Sequence, residues 1–204
     1  DFQGNKDHRT IQAAVNAANP GDVIKIWSGG YRESVIINKT LTLISAGNVP
    51  TIIDGQNRGY AVKITSNWVN ISGFTIKTAH WLGYGIIVDH AEQCKINDTF
   101  FENNINAVWI NSSNNNTICN NTASKQPFGN SAKGIYLTEA KDNIIINNTF
   151  SIGYPLILLN SSNNALKDNL FSSATGGIQL ESSHSNTISN NIINSTKYSV
   201  RVDS

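Results

Sequence analysis

Short apolar runs recur along the last two-thirds of the chain at a nearly constant spacing. Each run holds four residues, which is too short for a helix and typical of a strand. Repeats of roughly 20–50 residues are typical of stacked units that bury their apolar faces against each other. The pattern therefore predicts an all-β fold, a parallel β-helix with about 22 residues per coil. The six runs begin at Gly85, Ala107, Gly134, Leu156, Gly177 and Ser199, at steps of 22, 27, 22, 21 and 22 residues.

A second signature lies in the polar stretch that follows each run. It combines one apolar residue with a pair of asparagines, as in Ile118, Asn120 and Asn121. The apolar residues of successive coils are expected to form a buried ladder. Because side chains alternate along a strand, the residue two places earlier also points inward. Equivalent asparagines at this position would form hydrogen bonds from coil to coil. The alternative is that they are solvated turn residues. The apolar ladder comprises Ile96, Ile118, Ile145, Leu166 and Ile188, and the asparagine ladder comprises Asn116, Asn143 and Asn186.

Asparagine is unusually frequent, with 30 of 204 residues, whereas methionine is absent. The asparagines fall at fixed offsets between the apolar runs, which favours turns because asparagine tolerates the left-handed backbone region. Nine of them begin an Asn-X-Ser/Thr triplet and are candidates for glycosylation in a secreted protein. Turns rich in Asn, Ser and Thr also create such triplets by chance, so both interpretations stay open. The nine are Asn38, Asn70, Asn97, Asn111, Asn115, Asn120, Asn147, Asn160 and Asn194.

An amphipathic helix is predicted over residues 10–19, ahead of the repeats. Apolar residues recur there at helical spacing, Thr10 can serve as the N-cap, and Pro20 and Gly21 stop the helix. Such a helix would cover the open first coil, whose free backbone edge would otherwise pair with another strand.

The repeats predict a single domain over residues 1–204. Residues 23–60 form its first coils, with a corner at 28–31, and residues 61–204 form the regular repeats. The chain stops within a coil, at residues 199–204, and no capping element is recognisable after the last run. We expect either a trimmed chain or an open end that meets another domain or another copy of the protein.

The charge balance and hydropathy exclude two classes of partner. The net charge is +1 and only 14% of the residues are charged, so no basic surface for nucleic acid is expected. No stretch approaches the roughly 18 apolar residues of a membrane-spanning helix, so membrane insertion is not expected either.

The two cysteines are not expected to form a disulfide. Cys94 and Cys119 lie in neighbouring coils but are offset by three residues along the strand. This offset adds roughly 10 Å, whereas a disulfide tolerates Cα separations of up to about 7 Å. Alternation places Cys94 in the core and Cys119 on the outside.

A family resemblance covers nearly the whole chain. Residues 10–45, the segment Thr51–Asp54, residues 69–76 and the repeated runs resemble NosD-like proteins, which are right-handed parallel β-helices in a wider group of carbohydrate-binding proteins and sugar hydrolases. The resemblance implies a right-handed solenoid and an extracellular, cell-surface or periplasmic protein of an archaeon or bacterium. It leaves function open, since members include copper-enzyme maturation factors, polysaccharide-active enzymes and surface proteins.

Candidate catalytic residues are few. Hydrolysis of a polysaccharide needs two carboxyl groups about 5–9.5 Å apart. The best available set is Asp89 and His90 with Glu139, two coils further on, and the alternative is that these are solvated surface residues. The start of the chain also resembles that of pectin methylesterases, but the downstream Asp and Arg residues of that family have no recognisable counterpart.

No metal site or other cofactor is predicted. Copper sites are built from clusters of His, Cys and Met, and this chain has no Met. His90 and His184 lie four coils apart, about 19 Å at the spacing of neighbouring strands.

A ladder of large apolar residues is predicted on the outside of the solenoid. The third residue of each run lies between two inward residues and so faces outward, and Trp109 and Tyr136 are among these residues. Such an exposed patch marks an interaction site, unless corner loops fold over it and bury it. The ladder comprises Ile87, Trp109, Tyr136 and Leu158, and the preceding corners could add a wall of Trp81, Tyr84, Phe128 and Tyr154.

These observations favour a non-catalytic extracellular or cell-surface module with a structural or binding role. Aromatic side chains suit both sugar rings and protein surfaces. The expected partner is therefore a polysaccharide, a surface protein or a second copy of the chain. The alternative is a polysaccharide-active enzyme, a lyase, hydrolase or epimerase, with its site on the outer face.

Overall fold

The computed structural model describes residues 8–56, 58–78, 83–124, 131–173 and 175–204. The chain forms a right-handed parallel β-helix of eight coils, which confirms the predicted fold class. Each coil contributes one strand to each of three eight-stranded sheets, and all neighbouring strands are parallel.

The strands are numbered in chain order. The first sheet stacks β1 (Val23–Ile26), β4 (Thr42–Ser45), β7 (Asn70–Ser72), β10 (Lys95–Asn97), β13 (Thr117–Cys119), β16 (Ile144–Ile146), β19 (Ala165–Lys167) and β22 (Thr187–Ser189). The second stacks β2 (Gly29–Tyr31), β5 (Thr51–Asp54), β8 (Phe74–Lys77), β11 (Phe100–Glu102), β14 (Thr122–Ala123), β17 (Thr149–Ser151), β20 (Leu170–Ser173) and β23 (Ile192–Ser195). The third stacks β3 (Val35–Ile37), β6 (Tyr60–Ile64), β9 (Tyr84–Asp89), β12 (Asn106–Asn111), β15 (Lys133–Thr138), β18 (Tyr154–Leu159), β21 (Ile178–Glu181) and β24 (Val200–Asp203).

One predicted corner is a strand. Gly29–Tyr31 forms β2 and pairs in parallel with β5. Two consecutive glycines were interpreted as a turn, but the pairing with β5 holds them in the sheet.

The apolar ladder predicted inside the solenoid is present in the first sheet. Ile96 pairs with Ile118, Ile118 with Ile145, and Ile145 with Leu166 in consecutive coils. All four side chains are fully buried, and Ile188 continues the ladder in the last coil, where it is partly buried. The predicted register of the first sheet is therefore confirmed.

The predicted asparagine ladder is present, with Asn116 and Asn143 fully buried and Asn186 partly buried. Asn143 Oδ1 accepts a hydrogen bond from Asn116 N (2.9 Å), and Asn143 Nδ2 donates to Ser113 O of the preceding coil (3.1 Å). Asn164, which was not assigned to the ladder, continues it towards Asn186. Each amide thereby satisfies backbone groups at a corner where the sheet hydrogen bonds are interrupted.

A second, unpredicted ladder closes the next corner of each coil. Asn148 Oδ1 accepts from Asn121 N (3.0 Å), and Asn148 Nδ2 donates to Ile118 O (2.9 Å). The residue before each of these amides has a left-handed backbone, with φ of 57° at Asn120 and 56° at Asn147. The asparagine pairs in the sequence therefore combine an outer turn residue with an inner ladder residue. The ladder comprises Asn121, Asn148, Asn169 and Asn191.

The N-terminal helix α1 (Ile11–Ala17) covers the first coil, close to the predicted bounds. Thr10 is its N-cap, and Ile11 and Val15 lie in the core. The Glu33 carboxylate accepts from two backbone N–H groups at the start of the helix, and Lys39 Nζ donates to three carbonyl groups at its end. These charges complement the helix dipole and fix the helix to the loops beside β3. In the described part of the chain, no helix is long and apolar enough to cross a membrane.

The two cysteines are free, as predicted, but Cys119, which was expected on the outside, is buried although it is not part of the core cluster. Cys94 is buried in the core, and burial raises the pKa of its thiol to about 11. Its backbone N–H donates to Asn116 Oδ1 (2.8 Å), so Cys94 occupies the first position of the asparagine ladder.

Candidate functional site

The candidate binding surface lies on the outer side of the third sheet, in the middle coils. Trp109 pairs with Ile87 in the preceding coil and with Tyr136 in the following one, as predicted. Tyr84 and Tyr154 begin β9 and β18 beside them. We call this surface the aromatic face, and it comprises Tyr84, Ile87, Trp109, Tyr136, Tyr154 and Ile157. Ile87 faces outward as predicted but is buried rather than exposed, and so is Ile157.

The assignment of Leu158 to this surface is wrong. Tyr136 pairs with Ile157, whereas Leu158 pairs with Leu137 and is fully buried. The corner before β18 is one residue shorter than the repeat implied, and a slip of one residue moves a side chain to the other side of a strand. Two further predicted members, Trp81 and Phe128, lie outside the described residues.

Three aromatic rings form a near-parallel series across three coils. The Tyr84 and Trp109 rings have centroids 5.0 Å apart and planes 26° apart. The Trp109 and Tyr136 rings have centroids 6.4 Å apart and planes 17° apart. All three side chains are half-buried, so the series is a partly exposed apolar strip that follows the solenoid axis.

A chain of hydrogen bonds fixes the orientation of Trp109. Its Nε1 donates to Thr138 Oγ1 (2.9 Å), which in turn donates to Asn111 Oδ1 (2.8 Å). Asn111 Nδ2 donates to Asp89 Oδ1 (2.9 Å). Because each member is held by the next, the indole is pre-organised rather than free to rotate.

Small residues at the start of the runs allow the strands to approach each other behind this surface. A Cβ atom at Gly85 would lie 2.5 Å from Ala107 O, and one at Gly134 would lie 2.2 Å from Pro155 O. Glycine is therefore required at these two positions by the neighbouring backbone, and the glycines in the repeated pattern are packing residues.

Lys133 lies directly against the aromatic series. Its Nζ lies 4.2 Å from the centroid of the Tyr136 ring, which is a cation–π contact. Burial lowers the pKa of this ammonium group. Among the described residues, none of the ion pairs involves Lys133.

The candidate acids occupy the corner beside the aromatic face without meeting each other. Asp89 Oδ2 forms an ion pair with Lys63 Nζ (2.8 Å). The other carboxylate oxygen, Oδ1, accepts a hydrogen bond from Asn111 Nδ2 and contacts His90 Nδ1 (2.8 Å). Burial raises the pKa of Asp89, but these hydrogen bonds and the charge of Lys63 outweigh it and lower the pKa to about 2. Asp89 is thus ionised at neutral pH, with its oxygen atoms occupied.

Glu139 belongs to a different contact. It follows Thr138, which is two coils from Asp89 in register, or roughly 10 Å along the solenoid. The Glu139 carboxylate accepts from Ser112 Oγ (3.1 Å), and its backbone is left-handed with φ of 53°. The position and backbone conformation of Glu139 are better explained by a role in the turn than by a role as a general acid.

The nine candidate glycosylation sites lie at the surface or half-buried. Three of them, Asn70, Asn97 and Asn111, use their Nδ2 atom in hydrogen bonds to other side chains. The Nδ2 atom is the one that would carry a glycan, so modification of these three would break existing contacts. The exposed candidates are Asn38, Asn115, Asn120, Asn147, Asn160 and Asn194.

Residues 15–204 match the family model described as periplasmic copper-binding protein (NosD). No curated protein matches the chain significantly. The chain is also similar in structure to several solved proteins, at identities that establish the fold alone. It superposes on Escherichia coli YbhC with a TM-score of 0.59 at 12% identity, covering 98% of this chain and 82% of that one.

Two further similar structures have the names of enzymes that act on carbohydrates. The catalytic domain of a GH87 alpha-1,3-glucanase, solved in complex with nigerose, gives a TM-score of 0.59 at 18% identity. That match covers 82% of this chain but 34% of the glucanase chain. Pectin methylesterase PemA from Erwinia chrysanthemi gives 0.53 at 11% identity, covering 95% and 79% of the two chains.

The described residues do not fit the copper ion that the family description implies. No three His, Cys, Asp or Glu side chains come together within the described ranges. His90 contacts Asp89, and the Cys94 thiol is buried with a raised pKa and donates to backbone carbonyl groups. A protonated, buried thiol is a poor copper ligand because the metal binds the thiolate.

Proposed function

The chain belongs to the NosD family of periplasmic copper-binding proteins, and on that premise we propose that it is a non-catalytic module that binds a polysaccharide through its aromatic face. The module acts outside the cytoplasm, in the periplasm or at the cell surface. Its solenoid holds the binding residues on a rigid sheet, so that an extended chain of sugars can lie along the coils.

The ring series of Tyr84, Trp109 and Tyr136 carries this proposal. Sugar rings present apolar C–H faces that pack against aromatic side chains, while their hydroxyl groups bond to polar neighbours. The indole is held by Thr138, so little rotamer freedom is lost on binding. The names of the glucanase and the pectin methylesterase support a saccharide ligand by analogy of fold.

The rival function is catalysis by Asp89 with His90. The lowered pKa of about 2 argues against Asp89 as a general acid, because it holds no proton to donate at neutral pH, and its contacts with Lys63, Asn111 and His90 occupy the oxygen atoms that a base would need. Turnover of pectin or alginate that disappears in Asp89→Asn would favour this rival.

The proposal is tested by calorimetric titration with nigerose, alginate oligosaccharides and pectin oligosaccharides. The double variant Trp109→Ser, Tyr136→Ser should lower affinity for the bound sugar at least about tenfold. Trp68→Ser is the matched control, because Trp68 is 60% exposed in the corner between β6 and β7, outside the aromatic face, and its loss should leave affinity unchanged.

Sedimentation velocity identifies the competing partner. If no sugar binds and the wild-type protein self-associates while the double variant is monomeric, the face is a protein interface. Equal affinities of the double variant and of Trp68→Ser for the sugar would overturn the proposal.

A further inference from the structure

Lys133 is held against the aromatic face and has no ion-pair partner among the residues that the structure describes. The other two cations in the strands of the third sheet have partners: Lys63 pairs with Asp89, and Arg201 pairs with Asp203. The segments outside the described residues that precede β9 and β15, 79–82 and 125–130, contain no Asp or Glu. Burial of an unpaired ammonium group costs free energy unless an anion compensates it.

A second observation lies in the neighbouring coil. Asn106 pairs in register with Lys133 on one side and with Tyr84 on the other. Its side chain is 7% exposed, and its Oδ1 accepts no hydrogen bond from any described residue. Buried amide oxygen atoms are nearly always satisfied, and this one has almost no accessible surface of its own, so a bridging water would complete it and link it to a ligand on the aromatic face.

An unpaired cation, an unpaired acceptor and an apolar ring series therefore meet within three coils. A neutral sugar would satisfy the acceptor and the rings but leave the ammonium group without a partner. A uronic acid residue satisfies all three, because its carboxylate is attached directly to the sugar ring and reaches a cation beside the stacking surface.

We propose that the aromatic face binds an acidic polysaccharide, with a uronate carboxylate paired to Lys133 Nζ. This inference rests on the proposed glycan-binding function and names its substrate class. A carboxylate within hydrogen-bond distance would stabilise the charged form of Lys133, which burial now disfavours.

A matched pair of ligands that differ only in the carboxylate tests how much the negative charge contributes to binding. Oligogalacturonate and its fully methyl-esterified form share one backbone and differ in the carboxylate, and oligomannuronate supplies a second acid. The wild-type protein should bind an acidic oligomer about tenfold more tightly than the ester, and added salt should reduce this preference. Lys133→Met should abolish the preference by weakening the acid and leaving the ester unchanged.

Lys95→Met is the control, because Lys95 is exposed on the first sheet, and it should preserve the preference. Equal binding of acid and ester by the wild-type protein, or an equal effect of Lys95→Met and Lys133→Met, overturns the acidic specificity. If neutral sugars bind through Trp109 and Lys133 has no role, this inference is overturned, but the proposed glycan-binding function stands. If no acid, ester or neutral oligomer binds, the proposed function itself fails.

Discussion

The inner side of the corners and the outer side of the third sheet differ in how residues change from coil to coil. Inside, Asn121, Asn148 and Asn169 repeat one side chain and one set of hydrogen bonds. Outside, the row that contains Trp109 changes at every step, from Ile87 through Tyr136 to Gln179.

The difference follows from what each side must satisfy. Each coil presents the same backbone groups to the next, so the inward asparagine that completes them recurs through the consecutive middle coils. In the third sheet the backbone groups pair from strand to strand, so the outward side chains can differ without loss of the fold. Rows of residues that change from coil to coil therefore indicate where a regular solenoid carries its function, whereas rows that repeat indicate residues that stabilise the fold.

The largest effect is expected inside the first sheet. Ile145→Ala should lower the free energy of unfolding by about 2–5 kcal/mol, because it leaves a cavity in a fully buried ladder. Ile144→Ala tests the outside of the same strand, where the side chain is 45% exposed, and should cost less than about 1 kcal/mol. Urea denaturation of both variants measures the contrast. A loss below about 0.5 kcal/mol for Ile145→Ala would show that the inside and outside of β16 are interchanged.

A smaller loss is expected from the asparagine ladder. Asn143→Leu should lower the free energy of unfolding by about 2–4 kcal/mol, because it leaves Asn116 N and Ser113 O buried without partners. Asn194→Leu replaces an exposed asparagine and should be almost neutral. The two variants are compared by thermal and urea unfolding. If both are neutral, the amides are not essential to the corner and their repetition has another cause.

The sequence alone predicts the parts of the fold that repeat. The apolar ladder around Ile145, the inward Asn143 and the helix that begins after Thr10 follow from spacing, alternation and capping preferences. The second asparagine ladder was missed although Asn147 and Asn148 carried the signal, because the pair was interpreted as a turn alone. A serine ladder was also missed: Ser161 Oγ accepts from Ala140 N (3.1 Å), but alanine alternates with serine at this position and hides the period.

The candidate site is less predictable because it depends on the exact lengths of corners. One residue fewer before β18 placed Ile157 rather than Leu158 on the aromatic face. The ion pair of Lys63 with Asp89 joins residues one coil apart, and neither residue belongs to a repeated motif. Contacts of this kind arise from the three-dimensional register, which a single sequence does not encode in a periodic signal.

The smallest effect is expected from the polar corner of the outer face, in Asp89→Asn. Burial raises the pKa of Asp89, and the hydrogen bonds and charge of Lys63 and its neighbours lower it to about 2, from 3.8. A carboxyl group with a lowered pKa stabilises the folded state above the pKa of the unfolded chain, and this contribution is lost as the pH falls through the folded pKa. The variant should be less stable by about 1 kcal/mol near pH 7, because solvent partly screens the pair.

The pH dependence distinguishes this local contact from a general change in packing. The difference in unfolding free energy between the wild-type protein and Asp89→Asn should disappear between about pH 4 and pH 2, as Asp89 becomes protonated. Lys63→Met removes the partner and should show a loss of similar size over the same pH range. A difference that persists unchanged at about pH 2 would mean that the substitution acts on packing, and that the outer corner is as constrained as the ladders inside.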